Sequence, residues 1–115
     1  MLPLHNAIEH LNEQELISLL QSGADPNQPD PSIGGFRPLH LAVDIECEDA
    51  CSRYDKGDHS ARPVARLTRI LIEAGANPNL PDEKGMTAKE IAKERAHKEA
   101  LDAFSIWDEA HIGAQ

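Results

Sequence analysis

The sequence predicts an all-α fold, a solenoid of helix pairs separated by β-hairpin-like fingers, and three observations carry that expectation. The stretch Ser22-Gly23-Ala24-Asp25-Pro26-Asn27-Gln28-Pro29-Asp30 returns as Ala74-Gly75-Ala76-Asn77-Pro78-Asn79-Leu80-Pro81-Asp82. A second motif, Pro3-Leu4-His5-Asn6-Ala7, returns as Pro38-Leu39-His40-Leu41-Ala42 and, degraded, as Ala88-Lys89-Glu90-Ile91-Ala92 behind Thr87. Only 3% of the residues are aromatic, and a core of Ala, Leu and Ile suits closely packed helices better than a sheet.

Each element follows from local chemistry. Proline ahead of Leu-His suits the first turn of a helix, where its missing N–H costs no hydrogen bond, so Pro3 and Pro38 mark helix starts. The aliphatic runs Leu16 to Leu20 and Leu67 to Ile72 read as second helices. Gly23 and Gly75 stop them, and the prolines at 26, 29, 78 and 81 prevent their resumption. The fingers follow, with short Asp and Asn side chains able to satisfy turn backbone. A chain of 115 residues makes one domain.

This helix-turn-helix-finger unit opening on Pro-Leu-His-x-Ala resembles the ankyrin repeat, whose period is about 33 residues and whose signature is Thr-Pro-Leu-His-x-Ala. The resemblance divides residues 1–115 into repeat 1 (about 1–36), repeat 2 (about 37–86), and repeat 3 with a C-terminal cap (about 87–115). Pro3 to Pro38 is 35 residues, the surplus falling in the longer first finger around Asp30 to Phe36. Pro38 to Gly75 is 37 residues where Pro3 to Gly23 is 20. Seventeen residues are therefore inserted between the helices of repeat 2, and they are expected to form a loop at about 47–63. In repeat 3, Ala96 stands where the family's inter-helix turn usually has glycine. No Gly-Ala finger follows, so residues 105–112 are expected to extend the last helix over the open end of the stack, with Trp107 packed on the core beneath, against the alternative that Trp107, Phe104 and Ile106 form a second contact anchor.

With 20 acidic and 11 basic side chains the formal charge is −9, and the segments 1–37, 38–82 and 83–115 carry −4, −3 and −2, so none of the three is net basic. Nucleic acid and anionic membrane draw their binding energy from Lys and Arg, so neither is an expected partner. No apolar window approaches membrane-spanning length. A cytoplasmic location, reduced thiols at Cys47 and Cys51, and a monomer when free are expected. No phosphate loop, nucleophile elbow or His-Glu-x-x-His is present, and no enzyme activity, cofactor or metal is expected.

The partner expected is another protein with a basic surface. In the repeat frame Glu9, Asp44 and Glu94 fall at one position, and the resemblance implies that stacking aligns them in a column on the concave face, beside His10, Ile45 and Arg95. A solvated charged face would look the same in sequence. No compensating basic column is apparent, which is the argument for binding. Ile33 and Phe36 in the first finger, and Lys84 and Met86 in the second, are contact candidates because their apolar members have no visible structural duty. In the insertion, Tyr54 with Arg53 and Asp55 has the composition of an interface anchor, against the plainer reading of a solvated excursion.

The resemblance implies that His5 and His40 hydrogen-bond backbone between neighbouring repeats. Cys47, Cys51 and His59 in Cys-x3-Cys-x7-His spacing admit a metal or redox role, although the spacing matches no strong zinc pattern. Two functional roles stay open: a general adaptor, or an inhibitor similar to the immunity proteins that bacteria pair with toxins, which cover the active site of a basic enzyme.

Overall fold

Proline at the first helical position opens two of the helices that Pro-Leu-His announces, α1 (Pro3–Glu9) and α3 (Pro38–Asp55). In the computed structural model, which describes residues 1–112 with side chains through Ala110, these alternate with α2 (Glu13–Gln21) and α4 (Arg66–Glu73). The third pair is α5 (Ala88–Glu94) and α6 (Lys98–Ile112). Residues 113–115 of the expected cap lie outside the described residues. Among the described residues the chain is all-helical, with a single 3₁₀ turn at Pro31–Ile33. The fingers are less regular than hairpins: each closes on one isolated antiparallel bridge, Asp30 to Phe36 and Pro81 to Thr87.

α1, α3 and α5 form one row, and α2, α4 and α6 pack behind them, each against its own predecessor. The first row packs more tightly than the second, which is the geometry of a stack concave on the α1-α3-α5 side. Ile8, Leu16, Leu39, Val43, Leu67, Leu71 and Phe104 form the continuous core between the rows. Ala7, Ala42 and Ala92, all fully buried, occupy matching positions in the first helices, and their small side chains permit that close approach. The inter-helix turns after α1 and α5 place Leu11 and Ala96 in the left-handed region, each at φ 55°. A glycine would adopt this more easily, so Ala96 holds the conformation of the usual glycine against an intrinsic cost.

Two histidines stitch the row. His5 donates from Nε2 to the Phe36 carbonyl at 2.7 Å, and His40 does the same to Met86 at 2.7 Å. His40 Nδ1 also accepts the Arg37 N–H at 3.1 Å. The corresponding N–H in repeat 1, that of Leu2, goes instead to Asp30 Oδ2 at 3.0 Å, leaving His5 Nδ1 buried without a partner. Burial pushes both imidazoles below the ordinary value of 6.5. The hydroxyl of Ser32, followed by the Leu2 N–H, brings the Asp30 carboxyl down to about 2.

The fingers are joined through backbone. Asn27 accepts the Asn77 N–H at 2.7 Å on its side-chain oxygen and donates to the Gly75 carbonyl at 3.2 Å. Arg37 donates to the carbonyls of Asn27 and Pro81 at 2.8 and 3.0 Å. Gly35, at φ 74°, lies so close to the second finger that a Cβ would stand 2.5 Å from Glu83 Cγ and 3.0 Å from its backbone nitrogen. Only glycine fits at this crossing.

The insertion differs from expectation. The 47–63 segment is not all loop: α3 runs unbroken through Cys47 to Asp55, giving 18 residues against seven in α1 and α5. Only the stretch after Asp55 is irregular. Glu46 explains what anchors this helix. It is 4% exposed, and its Oε2 accepts the N–H groups of Leu67 and Thr68 at 2.9 and 3.1 Å. Its Oε1 accepts the Thr68 hydroxyl at 2.6 Å and His97 Nε2–H at 2.8 Å. Asn12 caps α2 and Thr87 caps α5 with their own side chains, but the residue before α4 is Ala65, which has none to offer. Glu46 supplies that cap from the neighbouring helix. His97, fully buried, accepts the Ala100 N–H at 3.2 Å on Nδ1 and so caps α6, which leaves its Nε2 as the donor to Glu46.

Substituting Glu46→Ala orphans these donors in the core, and is expected to destabilise by about 3 kcal/mol in urea unfolding followed by far-ultraviolet circular dichroism. A loss within the range of an ordinary surface substitution would show that the cap is dispensable. The histidine pair gives a second expectation. Because the folded values of His5 and His40 lie below 6.5, the unfolded chain binds more protons just below that pH, and stability falls as the pH is lowered through it. The urea midpoint is expected to decrease between about pH 7.5 and about pH 5.5, with a smaller decrease in His40→Gln.

Candidate interaction surface

The candidate residues on the row of first helices have separate fates. Glu9 and Glu94 are exposed at the ends of α1 and α5, and Asp44 is half-buried between them on α3. The column is compensated at its centre, contrary to the sequence expectation. Arg95 Nη1 donates to Asp44 Oδ1, and Nη2 donates to Glu48 Oε1 at 3.0 Å. The base that neutralises Asp44 comes from the next repeat, 51 positions along the chain, so no tally along one helix reveals it. Glu48, which the sequence reading did not single out, belongs with Asp44 because both lie one helical turn apart on the same face of α3. The net acid of this face therefore rests on Glu9, Glu94 and the exposed remainder of Glu48.

His10 is exposed, and its Nδ1 donates to the Asn6 carbonyl at 2.8 Å. Ile45 is half-buried against the core. Ile33, Phe36 and Met86 do have structural duties, correcting the expectation that they are free for contact. All three pack on the core, the Phe36 ring stacks on His40 at 5.4 Å, and the backbone oxygens of Phe36 and Met86 receive the two histidines. Their fingers are held by their apolar side chains. Lys84 is exposed at the tip of the second finger, where its N–H is donated to Asp82 at 2.9 Å.

The far half of α3 and the segment after it make the second part of the surface. Helical spacing turns Glu46 and Ala50 inward and leaves Glu48, Cys51 and Asp55 exposed on the opposite side. Tyr54 is 49% exposed and stacks on His59 at 4.8 Å between ring centres. Gly57 lets the chain turn back, and Asp58 holds the turn by accepting the Ser60 hydroxyl and N–H at 2.7 and 3.2 Å. Those bonds, the hydroxyl first, lower the Asp58 carboxyl. Arg53 pairs with Asp49 at 3.1 Å one turn back and reaches the Arg62 carbonyl at 3.4 Å, which ties the returning segment to the helix. A shallow groove results, walled by Cys47, Ala50, Tyr54, Pro63 and the Glu94-Arg95 corner.

Cys47, Cys51 and His59 do not come together as a ligand set. Cys47 is buried and Cys51 exposed, while His59 is engaged with Tyr54. Among the described residues no group of three His, Cys, Asp or Glu side chains is placed to hold a metal ion. At the C-terminal end Phe104 is buried in the core, whereas Ile106 is 68% exposed. Trp107 is half-buried. α6 is fastened to α5 by the ion pair of Lys89 with Asp108. No helix among the described residues is long and apolar enough to cross a membrane.

The family model of the ankyrin repeat matches residues 1–31. Over 106 residues the chain is 31% identical to protein fem-1 homolog A-A of Mus musculus, an alignment covering 92% of this chain and 14% of that protein. Protein fem-1 homolog A of Bos taurus is 29% identical over 109 residues, 84% of this chain and 15% of the relative. A shorter stretch of 37 residues is 51% identical to human ankyrin repeat domain-containing protein 63, covering 32% of this chain and 10% of that protein. The chain thus spans 14–15% of the length of the two fem-1 relatives.

The two thiols are expected to differ in reactivity. Burial pushes Cys47 up to about 11, whereas Cys51 stands in solvent, so iodoacetamide acting on native protein modifies one thiol per chain, at Cys51. Both react after unfolding. Equal native rates, read by peptide mass analysis, would mean that α3 opens at Cys47.

Proposed function

We propose that this chain, which belongs to the ankyrin-repeat family, engages a basic surface of another protein through its first-helix row, its finger tips and the projecting end of α3. Ankyrin repeats form protein-protein interaction modules, and the finer assignment rests on one observation. α3 continues 11 residues beyond its counterparts, about 16 Å of additional helix. One face of that continuation is required by the fold through Glu46 and Ala50. The rest of its surface presents Tyr54 and Asp55, which stand exposed and hold nothing in the core. A half-exposed tyrosine held rigid by a stacked imidazole loses little conformational freedom on binding.

The charge selects the partner. A net −9 attracts a basic protein at long range and raises the association rate, and the exposed carboxylates of Glu9, Glu48, Asp55 and Glu94 lie on the binding side. Binding then acts by steric occupation. A partner whose active site lies under the footprint is inhibited, as by an immunity protein; one whose active site lies elsewhere is tethered, as by an adaptor. The large uncompensated charge favours the first role, since steering is most useful to an inhibitor that must arrive before substrate.

The test starts from affinity capture and mass identification of the partner. Joint reversal at Glu9, Asp55 and Glu94 to lysine, surface positions that leave the fold intact, is expected to weaken the captured complex by about a hundredfold at low salt. The same change flattens the salt dependence of its association rate. Affinity and salt dependence equal to those of the unaltered protein would reduce the acidic face to a solvated surface.

A further inference from the structure

The row of second helices is not evenly closed. α4 packs on α6, but α2 stands farther from α4. The gap between α2 and α4 is a groove of about 440 Å³, lined by Ile17, Leu20 and Gln21 on one side and by Ile70, Glu73 and Ala74 on the other. Leu20 and Ile70 are half-buried in it, and Ile17 is 39% exposed. Counted from the glycine that ends each second helix, Ile17 corresponds to Arg69. Arg69 reaches Glu99 at 3.8 Å and so bridges α4 to α6. At the α2–α4 junction the same position holds an isoleucine, which can make no such bridge and is held in water at a cost.

The groove is also electrically lopsided. Where both helices begin, Glu13 of α2 pairs with Arg66 of α4 at 3.3 Å, and the charges cancel. At the other end Glu73 stands exposed. Arg69, one turn back, turns to Glu99 instead, so Glu73 has no ion-pair partner among the described residues. Both helices finish here, and neither carries a base in its last turn. Each helix end adds about half a negative charge. The groove thus offers an apolar length that ends in uncompensated negative charge.

We propose that the α2–α4 groove is a docking site for an amphipathic helix of a partner protein, laid antiparallel to α2 and α4. Apolar residues one turn apart meet Ile17, Leu20 and Ile70, and a lysine or arginine beside the N-terminal end of that helix meets Glu73. Bounding helices of nine and eight residues give a groove about 12 Å long, room for two turns of a third helix whose ridge enters between them. The antiparallel direction brings the positive end of the incoming helix over the two negative ends. A second copy of this chain is the poorer occupant, because it brings the same net −9 to an end that is already negative. The groove lies on the second-helix side, away from the first-helix row, so both surfaces can be occupied together.

The probe is a stapled helical peptide of about three turns, with leucines at one-turn spacing and a lysine ahead of its first turn. It is titrated into the full chain by fluorescence anisotropy at about 0.15 M salt. The expected result is a one-to-one complex, weakened about tenfold or more by Ile17→Glu and by glutamate in place of the peptide's lysine. Glu73→Lys weakens the lysine peptide and restores the glutamate peptide. The joint reversal at Glu9, Asp55 and Glu94 leaves the affinity unchanged, which separates this site from the acidic row. Ile17 and Glu73 are exposed, so both variants keep the far-ultraviolet circular dichroism of the unaltered chain. Absence of a complex overturns the proposal, as does a complex indifferent to Ile17→Glu or one that takes the lysine and glutamate peptides alike. Self-association of the chain in analytical ultracentrifugation that Ile17→Glu abolishes overturns it too, by making the occupant a second copy.

Discussion

The carboxylate of Glu46 is the constraint on which the second half of this molecule depends. An insertion between two paired helices separates the second helix from the residues that would cap it, and α4 begins behind an alanine that has no side-chain acceptor. Glu46 answers this from the previous helix, accepting two backbone N–H groups of α4, the Thr68 hydroxyl and the His97 imidazole. The imidazole in turn caps α6 through its other nitrogen. One buried carboxylate thus fixes the starts of both outer helices relative to α3. Glu99 adds a second tie between them by accepting the Ala65 N–H at 3.1 Å. A buried carboxylate is tolerable only when its lone pairs are engaged. Here every donor it meets would itself be orphaned without it, so the cost and the need cancel within one cluster.

The row of first helices relies on a different principle, repetition of one local motif. His5 and His40 sit one turn into helices that proline begins, and each donates to the backbone that leads into the next repeat. The two sites are not identical. In repeat 2 the Arg37 N–H completes the imidazole's bonding. In repeat 1 the equivalent N–H is taken by Asp30, which already holds Ser32, and His5 Nδ1 goes without.

What was legible in the sequence is what local backbone chemistry dictates. Proline before Leu-His, and glycine after an aliphatic run, determine helix starts and stops wherever they occur, so the helix pairs and fingers could be located by counting. The insertion reads as loop in the sequence because its helix lacks an apolar stripe: the residues it buries include Glu46, and those it exposes are Glu48, Cys51, Ser52, Tyr54 and Asp55. The signal that could have found it is an absence. Between Pro38 and Gly57 there is no glycine or proline, and a helix already begun has no reason to end before that glycine. The pairing of Arg95 was beyond reach for another cause. Its partners Asp44 and Glu48 are neighbours only after stacking, and the register that aligns three carboxylates also delivers the base between two of them. The structural duty of Ile33, Phe36 and Met86 was hidden on similar grounds, since a finger that lies on the core needs apolar side chains to hold it there.

These features place the residues that hold the fold and the residues left in solvent on different faces of one helix. Along the continuation of α3, positions four apart share a duty: Glu46 and Ala50 serve the core, while Cys51 and Asp55, like Glu48, meet solvent. A helix too short to reach Glu46 would leave α4 uncapped, and a loop in its place would present Tyr54 on a chain with freedom to lose. The continuation therefore does what a flexible insertion could not. It carries a surface away from the stack and holds that surface by the same residue that holds the stack together. Arg95 adds to this from the far side. By bonding Asp44 and Glu48 at once it stiffens the root of the projecting helix while removing charge where charge would oppose packing, and the carboxylates of Glu9, Glu94 and Asp55 are left exposed.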